Sequence, residues 1–267
     1  MTSPDRPGPP VAEGSDTLPP KTRDGQSVIA IHACLRTAIQ RGELEPGSSV
    51  SQGQLARSFG AGRTPLREAL RMLQREGLVI ATPNRQVRIA SLTAEDFEEI
   101  SIARLALEAV AIRITVPTLK AADFAALAGY MAQMGYYQNV DDQRGFREPH
   151  RAFHRTLVAA AGPRVLAEIS ELTDHAERYR LRFSAFGNWD DRRAEHQAIL
   201  DAAASGNPDL AADCLAEHYV RTLPLVFGVL DPDHDLGRLR TTIQVVAPGA
   251  EKALHLPHSS GGREGRS

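Results

Sequence analysis

Apolar residues recur at three- and four-residue steps as soon as the pattern becomes regular. Val28, Ile31, Leu35 and Ile39 follow the period of an amphipathic helix. GELEPGSSV interrupts it with Gly42, Pro46 and Gly47. A short helix, SQGQLARSF, is expected next, with Ser51 as its N-cap. The GAG of residues 60–62 is a tight turn. RTPLREALRMLQREG then predicts a second helix, with Pro65 in its first turn, where proline is tolerated, and Gly77 near its end. Two β-like pieces, LVIA and QVRIA, flank TPNR. After Leu92 the β signal disappears. Helical segments are expected near 94–114, 120–139, 143–161, 163–186, 190–205 and 208–227, punctuated by Pro117, Gly162-Pro163, Gly187-Asn188 and Gly206-Asn207-Pro208.

Helix, short helix, turn, helix and β-hairpin form the layout of a winged helix-turn-helix. Helices with short connections predict an antiparallel bundle. The expected fold class is therefore mainly α: an N-terminal winged helix-turn-helix (25–92) and a C-terminal antiparallel helical bundle (93–230). Residues 1–24, rich in Pro, Gly, Asp and Ser, read as a disordered tail. Residues 231–267, ending in HSSGGREGRS, read as a flexible tail in which TTIQVV is a candidate short strand.

Composition narrows the setting. No apolar run approaches the roughly 18 residues of a membrane span, and the N-terminal segment lacks the apolar core of a secretory signal. Cys34 and Cys214 fall in amphipathic helical patterns and read as buried, reduced thiols, which points to the cytoplasm. The overall charge of −2 conceals an asymmetry. Residues 25–92 hold nine arginines, no lysine and four acids, a net +5, so the remainder carries −7. A basic front and an acidic back place a polyanion such as double-stranded DNA at the front.

Arg63, Arg67 and Arg71 are spaced by four and form a row on the second short helix, away from Leu66, Ala69, Leu70 and Leu73. An α-helix fits the major groove, where arginine donates to guanine O6 and N7 or neutralises phosphate. Thr64 lies beside Arg63 at the helix start. The alternative, a merely solvated face, fits the spacing equally well; the turn, the wing and the regional charge favour DNA.

These residues also carry a resemblance. QLARSFGAGRTPLREALRMLQREGLV resembles the GntR-type winged-helix regulators, and the likeness covers residues 28–90. It implies that Arg63, Thr64 and Arg67 touch the operator. Two departures are present: Gly53 stands where an arginine or other polar residue is common, with Gln52, Gln54 or Arg57 as candidates to compensate. The wing tip TPNRQV lacks the usual glycine, leaving Asn84 and Arg85 there.

In the back half, His150 and His154 are four apart and share a helix face. His196 and His218 flank apolar faces of two further helices. Inward side chains of an antiparallel bundle converge on one metal or remain ordinary polar residues; the residues alone leave both open. The opening EDFEEISIARLALEAVAIRI, HRAFHRTLVAAAGP, EHQAILDAAASGN and AEHYV resemble the FCD effector domain of the FadR subfamily over residues 93–223. That resemblance implies a divalent metal held by one aspartate and three histidines. His154, His196 and His218 match, and His150 takes the aspartate position. Pro163 stands where the family's Ala-Ala-Gly-Asn ends in Asn. An all-histidine set favours Zn²⁺, Ni²⁺ or Cu²⁺ over Mg²⁺ or Mn²⁺.

The resemblance further implies a homodimeric regulator, of repressor type, on a near-palindromic operator. Its effector would be a small organic acid, with Arg104 clamping the carboxylate; an ion pair with Glu108, four residues on, is the alternative. Arg178 and Arg182 are weaker pocket candidates. A metal-dependent hydrolase is the rival from another class, but HRAFH lacks the internal glutamate of His-Glu-x-x-His. A regulator whose metal is purely structural is a second alternative.

Overall fold

In the computed structural model, which describes residues 27–82, 86–183 and 189–255, Ser27 starts the first helix by accepting the N–H of Ala30. That helix, α1 (Val28–Gln40), buries Ile31, Leu35 and Ile39, three of the four residues its periodicity singled out, while Val28 is partly buried. A strand β1 (Ser49–Ser51) leads into α2 (Gln52–Ser58), where Ser51 and Gln54 form a reciprocal capping box. Gly60, at φ 59°, turns the chain into α3 (Arg63–Arg75), which buries Leu66, Ala69, Leu70 and Leu73. Strands β2 (Val79–Thr82) and β3 (Gln86–Ile89) complete an antiparallel sheet of order β1-β3-β2. The sequence pattern missed β1, because three residues cannot display an alternation; its pairing with β3 is a long-range event.

This front unit comprises residues 1–93 together with Glu177–Arg182. Its core joins α1, α2, α3 and the two hairpin strands. Glu76 ties α1 to the end of α3, meeting His32 at 2.5 Å and Arg36 at 3.0 Å.

The second unit is helical: α4 (Ala94–Thr115), α5 (Ala121–Asn139), α6 (Gln143–Leu157), α7 (Pro163–Phe183, of which Glu177–Arg182 group with the first unit), α8 (Trp189–Ala204), α9 (Pro208–Val220), α10 (Leu223–Leu230) and α11 (Gly237–Val246). One core links α4, α5, α6, α8 and α9. The close approach of α5 and α6 depends on Gly145, where a Cβ would lie 2.4 Å from the Tyr137 ring. Asn207 caps α9 by accepting the Leu210 N–H.

Three expectations are corrected. The helix expected over 208–227 is two helices, because Pro224 cannot donate to the carbonyl a turn earlier. The cysteines are free but half-buried rather than buried. The flexible tail expected from 231 is ordered structure as far as 255: α11 is followed by a 3-10 segment, Pro248–His255, and TTIQVV is helical, not a strand. The reason is the spacing of Leu239, Ile243 and Ala247, all fully buried, which a run of β-branched residues disguised. Glu98 of α4, 1% exposed, anchors the segment by accepting from Arg238 Nε at 3.0 Å and lying 3.3 Å from His234 Nε2. Arg113 adds a bond to the Val246 carbonyl. The expected tail at 1–24, Arg85 of the wing tip, the Gly187-Asn188 break and residues 256–267 lie outside the described residues.

A docked α11 has a measurable signature. Ile243→Ala lowers the unfolding free energy by about 2–5 kcal/mol in chemical denaturation, whereas Val245→Ala, at a site 77% exposed, changes it by no more than about 0.5 kcal/mol. A loose tail would make both silent.

Candidate nucleic-acid interface and metal centre

Burial of its leucine face turns the other side of α3 to solvent, and Arg63, Thr64, Arg67 and Arg71 are all exposed there. Gly62 is the N-cap and makes no side-chain cap bond, so backbone N–H groups at this terminus face outward beside Arg63 and Thr64. Arg57 is exposed on α2. Arg67 and Arg71 line a shallow hollow with Gln52 of α2 and Gln74. Gln74 was missed by the sequence reading because it lies outside the arginine row. Arg71 also bonds Glu68 at 2.8 Å, a surface pair that an incoming phosphate can displace.

The second cluster lies wholly in the helical unit. α6 delivers His150 and His154, whose rings are 4.6 Å apart; α8 delivers His196 and α9 His218, 4.4 Å from each other. One nitrogen of each of the four lies within 4.8 Å of the others. The surroundings are dry. Phe146 stacks on His150 and Phe153 abuts His196, and His150, His196 and His218 are buried. His154 is half-buried as a residue, but its Nε2 is buried, as is that of His196.

Hydrogen bonds assign the tautomers. His196 Nδ1 is 2.7 Å from the Arg192 carbonyl, which only accepts. His218 Nδ1 is 2.8 Å from a Glu195 carboxylate oxygen. Tyr219 donates its O–H to Glu108 at 2.5 Å, so towards His154 Nδ1, 3.4 Å away, its oxygen accepts. In the neutral form of these three rings the contacts place the proton on Nδ1, which leaves Nε2 as the electron-pair donor. Burial, reinforced by the Glu108 charge, pushes the Tyr219 phenol well above its usual range and keeps it a donor.

Arg104 stands behind this layer. It donates Nε to Glu108 at 2.9 Å, and its guanidinium lies 4.3 Å from the centre of the Tyr219 ring. The ion pair weighed in the sequence reading is therefore present, and Glu108 and Tyr219 connect Arg104 to His154. Arg178, inside the first unit, is buried and donates to the Ala90 carbonyl, and Arg182 is exposed. Of the supporting residues, Glu108 was expected only as a partner of Arg104, and Glu195 and Tyr219 carried no signal in the sequence. Glu195 and Tyr219 each adjoin a cluster histidine, but adjacency in a helix does not by itself signal contact.

The donor set fits a late first-row metal. Zinc–imidazole bonds of about 2.0–2.1 Å place neighbouring tetrahedral donors about 3.4 Å apart, a modest contraction from the 4.8 Å limit. Among the described residues no helix is long and apolar enough to cross a membrane.

Comparison with known proteins agrees with this division of labour. Residues 29–89 match the family model for bacterial regulatory proteins of the gntR family, and residues 99–221 match the FCD domain. A probable D-xylose utilization operon transcriptional repressor from Paenarthrobacter nicotinovorans is 30% identical over 188 residues, covering 70% of this chain and 82% of that protein. The HTH-type transcriptional repressor GlaR of Escherichia coli (strain K12) is 27% identical over 204 residues, covering 72% and 92%. Among solved structures, E. coli McbR/YncC shares the fold with a TM-score of 0.66 at 20% identity, over 76% of this chain and 97% of that one. These relatives are transcription regulators, not enzymes, and the hydrolase alternative falls with them. With a winged helix that exposes an arginine row, a helical domain following it in sequence and a repressor relative covered over four fifths of its length, the chain belongs to the GntR family of bacterial DNA-binding transcription regulators and carries an FCD domain.

Proposed function

We propose that the chain is a homodimeric repressor of the FadR subfamily, acting in the cytoplasm, whose FCD domain senses a small carboxylate at a metal centre. The observation that carries this reading is the convergence of His150, His154, His196 and His218. Three of the four have their outer nitrogen engaged by a carbonyl, a carboxylate or a phenol, the second layer that orients metal-binding imidazoles. Four neutral nitrogen donors select Zn²⁺ or Ni²⁺ over Mg²⁺. An ion of that kind would take a carboxylate by expanding from its four imidazoles to five-coordination. Arg104, at the edge of the same network, supplies a cationic partner for it.

In the winged helix, Arg63, Thr64 and Arg67 enter the major groove from the start of α3, with Arg57, Arg71 and Arg85 serving the flanking backbone or groove. Two winged helices read two half-sites of a near-palindromic operator. The Paenarthrobacter relative is named as a repressor of a utilization operon, which supports repression as the sign of control. Only residues 90–93 separate β3 from α4. So short a link favours mechanical transmission to the winged helix over free tethering.

Burial of the cluster also suits a purely structural ion. The two readings separate in an operator-binding titration with a panel of small carboxylates, run on metal-loaded, metal-stripped and reloaded protein. Sensing predicts that one carboxylate weakens operator binding, that stripping abolishes the response and that reloading restores it. A structural ion leaves the loaded protein unresponsive.

Two substitutions test the residues. Arg67→Ala weakens operator binding by about 1–3 kcal/mol and lowers the salt slope by about one, measured by fluorescence anisotropy across a salt series. His196→Ala removes the bound ion, so elemental analysis falls from about one per chain to none. Its thermal unfolding no longer responds to added Zn²⁺, while wild-type protein gains about 2.7 kcal/mol when the free ion is a hundred times its Kd.

A further inference from the structure

We propose that Glu195 is the outer-sphere carboxylate of the histidine cluster: it orients His218 to ligate through Nε2 and supplies the negative charge that four neutral imidazoles lack. The inference rests on the metal reading above. With His150 in the set, no ligand carries a charge, and a divalent ion in this dry site keeps its full +2. Without effector, an anion one bond removed is how the protein itself offsets it.

Among the described residues, Glu108 and Glu195 are in place to do so. Glu108 is engaged by the Arg104 guanidinium at 2.9 Å and by the Tyr219 hydroxyl at 2.5 Å. Its charge is balanced, and it reaches the cluster only through a phenol. Glu195 accepts directly from His218 at 2.8 Å. Arg221 is 3.8 Å from its other oxygen, 40% exposed, and makes a closer contact of 2.6 Å with Glu217. Glu195 itself is 12% exposed, so its attraction to the cluster is weakly screened. A carboxylate on the outer N–H raises the basicity of the imidazole and with it the strength of the metal bond. The placement follows from α8. Glu195 adjoins His196, so one turn of that helix provides a ligand of its own and the partner of the ligand on α9. Glu195 is thus a positioning residue for the metal centre rather than a ligand.

The test is a Zn²⁺ titration of full-length, metal-stripped protein against a competing chelator, on wild type, Glu195→Gln, Glu195→Ala, His218→Ala and the double variant His150→Asp with Glu195→Gln. Glutamine still accepts the Nδ1 proton but carries no charge. Glu195→Gln is expected to bind Zn²⁺ about 10- to 100-fold more weakly, and Glu195→Ala more weakly still. The double variant, which places a carboxylate among the ligands, recovers at least about tenfold of that loss. A merely structural residue would lower the melting temperature of the metal-free protein and would not be rescued from position 150. Wild-type affinity in Glu195→Gln, with binding lost in His218→Ala, overturns the proposal and leaves the metal reading intact. Weakening without rescue overturns the charge role. Failure of wild-type protein to bind Zn²⁺, Ni²⁺ or Co²⁺ removes the metal reading, and this inference with it.

Discussion

Four imidazoles brought into one dry volume constrain the helical domain more than any other feature. A buried polar group destabilises the fold unless it has a partner, and a cluster of them has to be satisfied as a unit. Here the partners come from different helices: the Arg192 carbonyl and Glu195 from α8, Tyr219 from α9, with Glu108 and Arg104 behind it on α4. Sliding any of these helices by one turn would separate a ring from its acceptor. Ring orientation and helix register are therefore set together, which makes the cluster a natural place for a bound species to act on the bundle.

The DNA-binding domain rests on a simpler device. Leu66, Ala69, Leu70 and Leu73 bury one face of α3, and the helical period then leaves Arg63, Arg67 and Arg71 no direction but outward. Turn chemistry does the rest. The Ser51–Gln54 capping box starts α2, Gly60 turns the chain, and Gly62 leaves the α3 N-terminus open. The charge asymmetry between the two halves of the chain confines the basic surface to this region.

The C-terminal segment extends the helical domain beyond residue 221, where the FCD match ends. Its attachment is both apolar and ionic. Leu239 and Ile243 fill the surface, and Glu98, buried in α4, is neutralised by Arg238. Such a buried acid is tolerable only because the segment brings its cation.

The sequence by itself determined the local elements and the outward arginine row of α3. The three- and four-residue spacing of α1 and α3, the breaks at Pro117, Gly162-Pro163 and Gly206-Asn207-Pro208, and the arginine row are short-range features, and the structure reproduces them within a residue or two. Sequence also named the four histidines and, through His150, the neutral character of the set. Only the tertiary structure decided that those histidines meet, which nitrogen His154, His196 and His218 present and that Glu195, Glu108 and Tyr219 stand behind them. These are contacts between residues 23 to 111 positions apart, and no local pattern encodes them. It likewise decided that Arg104 pairs with Glu108 and that residues 237–246 form a helix, since an i, i+4 pair and a short apolar stripe acquire meaning only from the surface they face.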